Sequence, residues 1–143
     1  DGANVFISDI DKSKLENIDN PNINPIDDAF SLECDVFSPC ALGAIFNESS
    51  IKSLNCKIIA GGANNQLQDL SIANALHNRG IIYIPDILIN SGGAIGLTKD
   101  LMKRNEVETE SDLMNIAYRV REALTESQEK SINLQDTIRE LII

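Results

Sequence analysis

The stretch Cys56-Lys57-Ile58-Ile59-Ala60-Gly61-Gly62-Ala63-Asn64-Asn65-Gln66-Leu67 decides the fold. Its Lys57-Ile58-Ile59 core is a short apolar run, read as a strand that Gly61-Gly62 ends. From about Leu67 to Arg79 the spacing becomes helical, with Leu70, Ala73 and Leu76 on one face and Gly80 as the C′ residue. Ile81-Ile82-Tyr83-Ile84 then predicts another strand, closed by Pro85-Asp86. Strands joined through helices run parallel, and continuous apolar runs suit a sheet covered on both faces.

The pattern extends in both directions. Asn4-Val5-Phe6-Ile7-Ser8 predicts a strand ending at the acidic turn Asp9-Ile10-Asp11, and Ser13 with Glu16 predicts a capping box for a brief helix around Leu15. Asn20-Pro21-Asn22-Ile23-Asn24-Pro25 reads as an irregular connector. Cys34-Asp35-Val36-Phe37 is a strand that Ser38-Pro39 stops, and Asn47 can cap a short helix carrying Ile51 and Leu54. Ile87-Leu88-Ile89 reads as one more short strand before the loop Asn90-Ser91-Gly92-Gly93. Past Gly96 the spacing is helical, first at Leu97, Leu101 and Met102, then at Leu113, Ile116, Ala117, Val120 and Leu124. Asn133 can cap a last helix that buries Leu134, Ile138, Leu141 and Ile142. The whole predicts an α/β domain with a doubly wound parallel sheet, residues 1–96 carrying the sheet and residues 97–143 forming helices packed on it.

Composition narrows the function. Of 143 residues 43% are hydrophobic, enough for a core, and with 4% aromatic residues and no Trp that core is expected to be aliphatic. Twelve Lys and Arg against 22 Asp and Glu leave a net charge of −10, which repels phosphate backbones and anionic bilayers. Neither nucleic acid nor a membrane is therefore an expected partner. Cys34, Cys40 and Cys56 form no CxxC and are odd in number, which fits a reducing, cytoplasmic setting. With the lone His77, expected at a helix rim, they lack zinc spacing, so no metal is expected. Cys40 has no His nearby in sequence and reads as a buried or ribose-lining thiol, not a nucleophile.

Chemistry concentrates where the predicted strands end: Asp9, then Pro39-Cys40-Ala41-Leu42-Gly43, then Gly61-Gly62-Ala63-Asn64-Asn65, then Asn90-Ser91-Gly92-Gly93. In open parallel sheets ligands bind outside the carboxyl ends of the strands. Glycine admits a ligand close to the backbone, and Asn amides pair with another planar amide. An acidic strand end can accept hydrogen bonds from ribose hydroxyls; Asp9 could instead cap residues 11–13. Asn64 and Asn65 could likewise be turn residues in left-handed backbone.

These segments carry a resemblance. Val5-Phe6-Ile7-Ser8-Asp9-Ile10-Asp11, Glu33 to Gly43, Ala60 to Leu67 and Pro85 to Gly93 resemble the amino acid dehydrogenases of the glutamate/leucine/phenylalanine/valine family, nearest its leucine branch. The motifs are strong from residue 3 to about residue 95 and weak beyond. The resemblance implies a Rossmann-like, NAD-binding domain of a cytoplasmic homo-oligomer that deaminates an amino acid to its 2-oxo acid and ammonia. Asp9, with Ile10 beside it, would hold the adenosine ribose and favour NAD over NADP. Pro39, Cys40 and Ala41 would line the nicotinamide-side ribose, and Asn64 or Asn65 would bind the carboxamide. Asn90 would lie near the nicotinamide, and Ala94 would help wall the substrate side chain.

The departures from the family pattern matter as much. The phosphate-binding G-x-G-x-x-G lies about 20 residues before the acidic strand end, yet only eight residues precede Asp9. The first strand and the glycine loop are thus expected to be lacking. The family's catalytic Lys and Asp belong to a separate N-terminal domain, so no catalytic residue is assigned here. In the strand order 3-2-1-4-5-6 the first strand is central, and without it the second has no neighbour linking it to the fourth. The expectation is a piece of a larger enzyme that supplies cofactor binding only and does not turn over by itself. The alternative is a non-enzymatic, truncated nucleotide-binding or oligomerisation module.

Overall fold

A computed structural model describes residues 2–16 and 18–142, without the side chains of residues 141 and 142. Strand β1 (Val5–Ile7) pairs in parallel with β2 (Ile23–Pro25), Val5 opposite Ile23 and Ile7 opposite Pro25. β2 corrects the expectation that residues 20–25 are irregular. Pro25 ends a strand at a sheet edge, where a missing donor is tolerated. Asn24 Nδ2 also donates to Asn4 Oδ1 at 3.0 Å and to the Val5 carbonyl at 3.1 Å, adding side-chain bonds to the ladder. Between the strands, α1 (Ser13–Glu16) is capped by Asp11 and not by the expected Ser13–Glu16 box. Asp11 Oδ1 accepts from the Ser13 N–H at 3.2 Å and its hydroxyl at 2.6 Å, so the hydroxyl is already committed.

The second sheet holds β3 (Glu33–Phe37), β4 (Asn55–Ile59) and β5 (Ile82–Tyr83), all parallel and in that order. Helix α2 (Ser50–Ser53) links β3 to β4, and Asn47 Oδ1 accepts the Ser49 and Ser50 N–H groups at 3.0 Å. Helix α3 (Ser71–Asn78) links β4 to β5. It starts four residues later than expected because Leu67 bridges Phe46 and the Asp69 carboxylate takes the Ser71 N–H at 2.9 Å. Gly80 follows it at φ +73°, as the sequence predicts. Arg79 donates to the carbonyls of Ile51 and Leu54, tying the ends of α2 and α3 together.

No ladder joins the two sheets among the described residues. In the order 3-2-1-4-5-6 the strands present correspond to 3-2 and 4-5-6, with the break at the central position. The edges flanking the break expose apolar side chains, Val5 at 41%, Phe6 at 40% and Val36 at 52%. This is the α/β architecture the sequence predicts, split where the first strand of that order would stand.

Ile87-Leu88-Ile89, expected as a strand, forms α4 (Asp86–Ile89). Pro85 is the N-cap, its backbone still extended at ψ 142°, and the three-residue apolar run after Asp86 carries no periodicity to tell strand from helix. Helix α5 (Gly92–Thr98) begins inside the expected Gly92-Gly93 loop, while Leu101 and Met102 fall beyond its end and are exposed. Helix α6 (Glu106–Lys130) has a reciprocal capping box between Asn105 and Glu108 and lies against α4, α5 and α7 (Leu134–Ile142). Asn133 caps α7 as expected, accepting from the Asp136 N–H at 2.9 Å, and its Nδ2 donates to Asn74 of α3 at 2.7 Å. Leu134 and Ile138 are buried; the expected burial of Leu141 and Ile142 falls on side chains outside the described set.

The core corrects a further expectation. It is not purely aliphatic: Phe46 is fully buried beside Ile59, Ile72, Leu76 and Tyr83, with ring centroids of Phe30, Phe37 and Tyr83 within 6.4 Å of it. Four of the six aromatic residues are concentrated in one place, which a percentage averages away. Among the described residues no helix is long and apolar enough to cross a membrane.

Candidate functional site

Three loops at the carboxyl ends of β3, β4 and β5 are knitted together. Gly61 crosses Pro39 so closely that a Cβ on Gly61 would lie 2.3 Å from the Pro39 carbonyl oxygen. The same carbonyl accepts the Ala63 N–H at 2.9 Å. Further along, the Ala44 N–H donates to the Asn65 carbonyl at 2.6 Å, and a Cβ on Gly43 would lie 2.8 Å from the Asn64 and Asn65 carbonyls. Glycine at 61 and 43 is thus a steric requirement of the crossing. The third loop joins through Asp86, whose Oδ2 accepts the Asn65 N–H at 2.7 Å, and through Asn90, whose Nδ2 donates to Asn64 Oδ1.

Gln66 lies beneath this surface at 1% exposure. Its Nε2 donates to the carbonyls of Gly61 at 2.9 Å and Ala63 at 2.8 Å, folding the loop over its own side chain. Its Oε1 is buried and has no partner. A buried unmet acceptor is costly, so this oxygen calls for a donor such as an ordered water.

The two exposed Asn residues are not equivalent. Asn65 sits in left-handed backbone at φ 50° with its N–H and carbonyl both engaged, which is a turn role. Asn64 instead engages its side chain with Asn90. That bond uses Asn64 Oδ1 and Asn90 Nδ2, leaving the Asn64 NH2 and the Asn90 Oδ1 without a protein partner among the described residues. One amide donor and one amide acceptor thus remain available on this pair, the two group types that a planar primary amide can meet.

The structure thus gathers Pro39, Asn64, Asn65 and Asn90, with Cys40 and Ala41 exposed on the same loop as Pro39. Cys40 Sγ lies 3.7 Å from Ser38 Oγ. Ala94, in α5, is exposed one helical turn past Asn90. Asp9 and Ile10 stand apart, at the end of β1 in the other sheet. Asp9 Oδ1 accepts the Asp11 N–H at 2.9 Å and Oδ2 lies 3.7 Å from Lys14 Nζ, while Ile10 is 99% exposed. Asp9 thus closes a local turn onto Asp11, which in turn caps α1, and a carboxylate with about four acceptor sites still has capacity for more.

Sequence reasoning missed Asp86 and Gln66. Asp86 carried the signal used for Asp9, an acidic residue just past a strand end, but was read only as a turn. Nothing in the sequence distinguishes Gln66 as buried. Among the described residues no group of three or more His, Cys, Asp or Glu is placed to hold a metal.

The family model for glutamate/leucine/phenylalanine/valine dehydrogenase matches residues 3–137. The leucine dehydrogenase of Bacillus subtilis (strain 168) is 37% identical over 136 residues, covering 92% of this chain and 37% of that protein. The phenylalanine dehydrogenase of Lysinibacillus sphaericus is 39% identical over 113 residues, covering 73% of this chain and 30% of that protein. The crystal structure of L-tryptophan dehydrogenase from Nostoc punctiforme superposes with a TM-score of 0.88 at 33% identity, covering 95% of this chain and 42% of that one. The chain thus spans well under half the length of each of these proteins.

Proposed function

The chain belongs to the glutamate/leucine/phenylalanine/valine dehydrogenase family, and from that premise we propose that it forms the nicotinamide side of an NAD site in a cytoplasmic, homo-oligomeric amino acid dehydrogenase. The reaction is oxidative deamination of a branched-chain or aromatic amino acid to its 2-oxo acid and ammonia. The observation that carries this reading is the Asn64–Asn90 pair, whose free donor and acceptor match the carboxamide of nicotinamide. The bare backbone of the Gly61–Pro39 crossing adds a surface that a ribose can approach closely. The residues present therefore fit the nicotinamide end of the cofactor. A nicotinamide held there would supply a hydride acceptor for the substrate α-carbon.

The chain's own residues orient that ring. Asn64 is assigned to the carboxamide in preference to Asn65, whose backbone is spent on the turn. Asn90 holds the Asn64 amide in one orientation and offers its own oxygen to the carboxamide NH2. Pro39, Cys40 and Ala41 line the adjoining ribose. Ala94 stands at the substrate side, where its small side chain leaves room. Asp9 and Ile10 take the adenosine ribose, the Asp9 carboxylate repelling a 2′-phosphate. Residues 1–96 are read as part of the dinucleotide-binding domain and 97–143 as helices added to it. Acid–base groups come from a further N-terminal domain, and a strand between β1 and β3 completes the sheet.

The division of labour is testable by assaying NAD reduction with leucine, valine and phenylalanine. The 143-residue chain is expected to show none. Turnover by this chain alone overturns the assignment of catalysis to another domain. Weak NAD binding without turnover even when the chain belongs to its full-length protein favours the non-enzymatic module.

A further inference from the structure

At the opposite, amino-terminal end of the second sheet, Cys34 and Cys56 stand opposite each other in the β3–β4 ladder. Paired residues in adjacent strands point to the same face, and the strands lie about 4.8 Å apart. That separation falls inside the roughly 4.4–6.8 Å between Cα atoms that disulfides span. Both thiols are free and half-buried. They border one surface depression together with Glu33, Asp35, Asn55 and Lys57, with Cys56 also packed against the core. Only the Glu33–Asn55 pair lies beyond them at this end of the ladder, and no strand pairs with the outer edge of β3 among the described residues. Closing a bond between the two sulfurs therefore asks only for local movement at the end of the ladder, where a single residue pair lies beyond the cysteines.

We propose that Cys34 and Cys56 form a two-thiol modification site that closes to a disulfide when a hydroperoxide oxidises it. The Cys34 thiolate attacks a peroxide oxygen, the O–O bond breaks, and the leaving oxygen departs as water after taking a proton. Cys34 is then a sulfenic acid. The Cys56 sulfur attacks the Cys34 sulfur, the S–O bond breaks, and the hydroxyl leaves as a second water with the Cys56 proton. Two thiols lose two electrons and one hydrogen peroxide becomes two waters. Burial pushes the Cys56 thiol up to about 11, aided by Cys34 and opposed by Arg79. Burial and the Asp35 carboxylate also raise Cys34. Cys56 is accordingly the resolving thiol, and reaction at neutral pH is slow beside that of an ordinary exposed thiol. The site lies away from the Asn64–Asn90 patch and does not depend on the function proposed above.

The test uses the 143-residue chain carrying Cys40→Ala, treated folded with hydrogen peroxide, then alkylated and mapped by peptide mass. The expected product is a Cys34–Cys56-linked peptide, lighter by two hydrogens and released by a thiol reductant. Cys56→Ser should leave Cys34 as a sulfenic acid that dimedone traps, with circular dichroism confirming the fold. Separate alkylation of both thiols after oxidation overturns the proposal. So does a link that forms only when the chain is first unfolded in urea.

Discussion

At Gly61 the Pro39 carbonyl occupies the space a side chain would need. Gly61→Ala is therefore expected to force the two loops apart, break the Ala63 N–H bond to Pro39, and cost about 1–3 kcal/mol. Urea denaturation reads this directly; an unchanged midpoint contradicts the crossing. Titration offers a second test at this scale. The Cys56 thiol is raised from 9.0 to about 11, so its protonated form is favoured by folding. That stabilising contribution is complete below pH 9 and is lost as pH rises toward 11. Stability should fall across that window, and Cys56→Ala should flatten the fall; an equally steep decline in the variant contradicts it. Tyr83 acts in the same sense at higher pH, held protonated by burial and the nearby Asp86 carboxylate. Asn64 and Asn90 were legible as loop amides, but their mutual bond was not, because they stand 26 residues apart and meet only through the fold. Gln66 was illegible for the same reason, since its burial depends on how the loop closes over it.

Among the elements, long periodic segments were readable and short ones were not. The existence of α6 and the Asn133 cap follow from side-chain spacing and local hydrogen bonding, which sequence carries, although Leu113 and Ala117 of the expected stripe are exposed. β2 and α4 did not, because β2 is paid for by partners in β1 and the apolar run of α4 is too short to show a period. Helix α6 ends at Ser131 in left-handed backbone, φ 55°, a conformation that costs a side-chain-bearing residue but not glycine. Ser131→Gly is expected to leave the structure intact and raise stability by about 0.4–1 kcal/mol, since the strain relieved outweighs the entropy glycine adds to the unfolded chain. A lower melting temperature in the variant, at unchanged helicity, contradicts this.

For the whole molecule, the resemblance anticipated the break in the strand order, and the structure shows it as two sheets with apolar side chains exposed on the flanking edges. The net charge of −10 bears on partners and not on topology, and it suits a small-molecule site better than a phosphate backbone. Low aromatic content misled because packing depends on where residues meet: Phe30, Phe37, Phe46 and Tyr83 form one cluster. The central claim is that this chain holds the nicotinamide end of the cofactor through the Asn64–Asn90 pair. It is tested most directly by titrating the 15N-labelled chain with NAD and with nicotinamide mononucleotide while following the side-chain amide resonances. The Asn64 and Asn90 amides are expected to shift with both ligands, and Asn64→Ala to abolish the response at Asn90. Binding of either ligand that leaves both amides unmoved, or no binding at millimolar ligand, contradicts it.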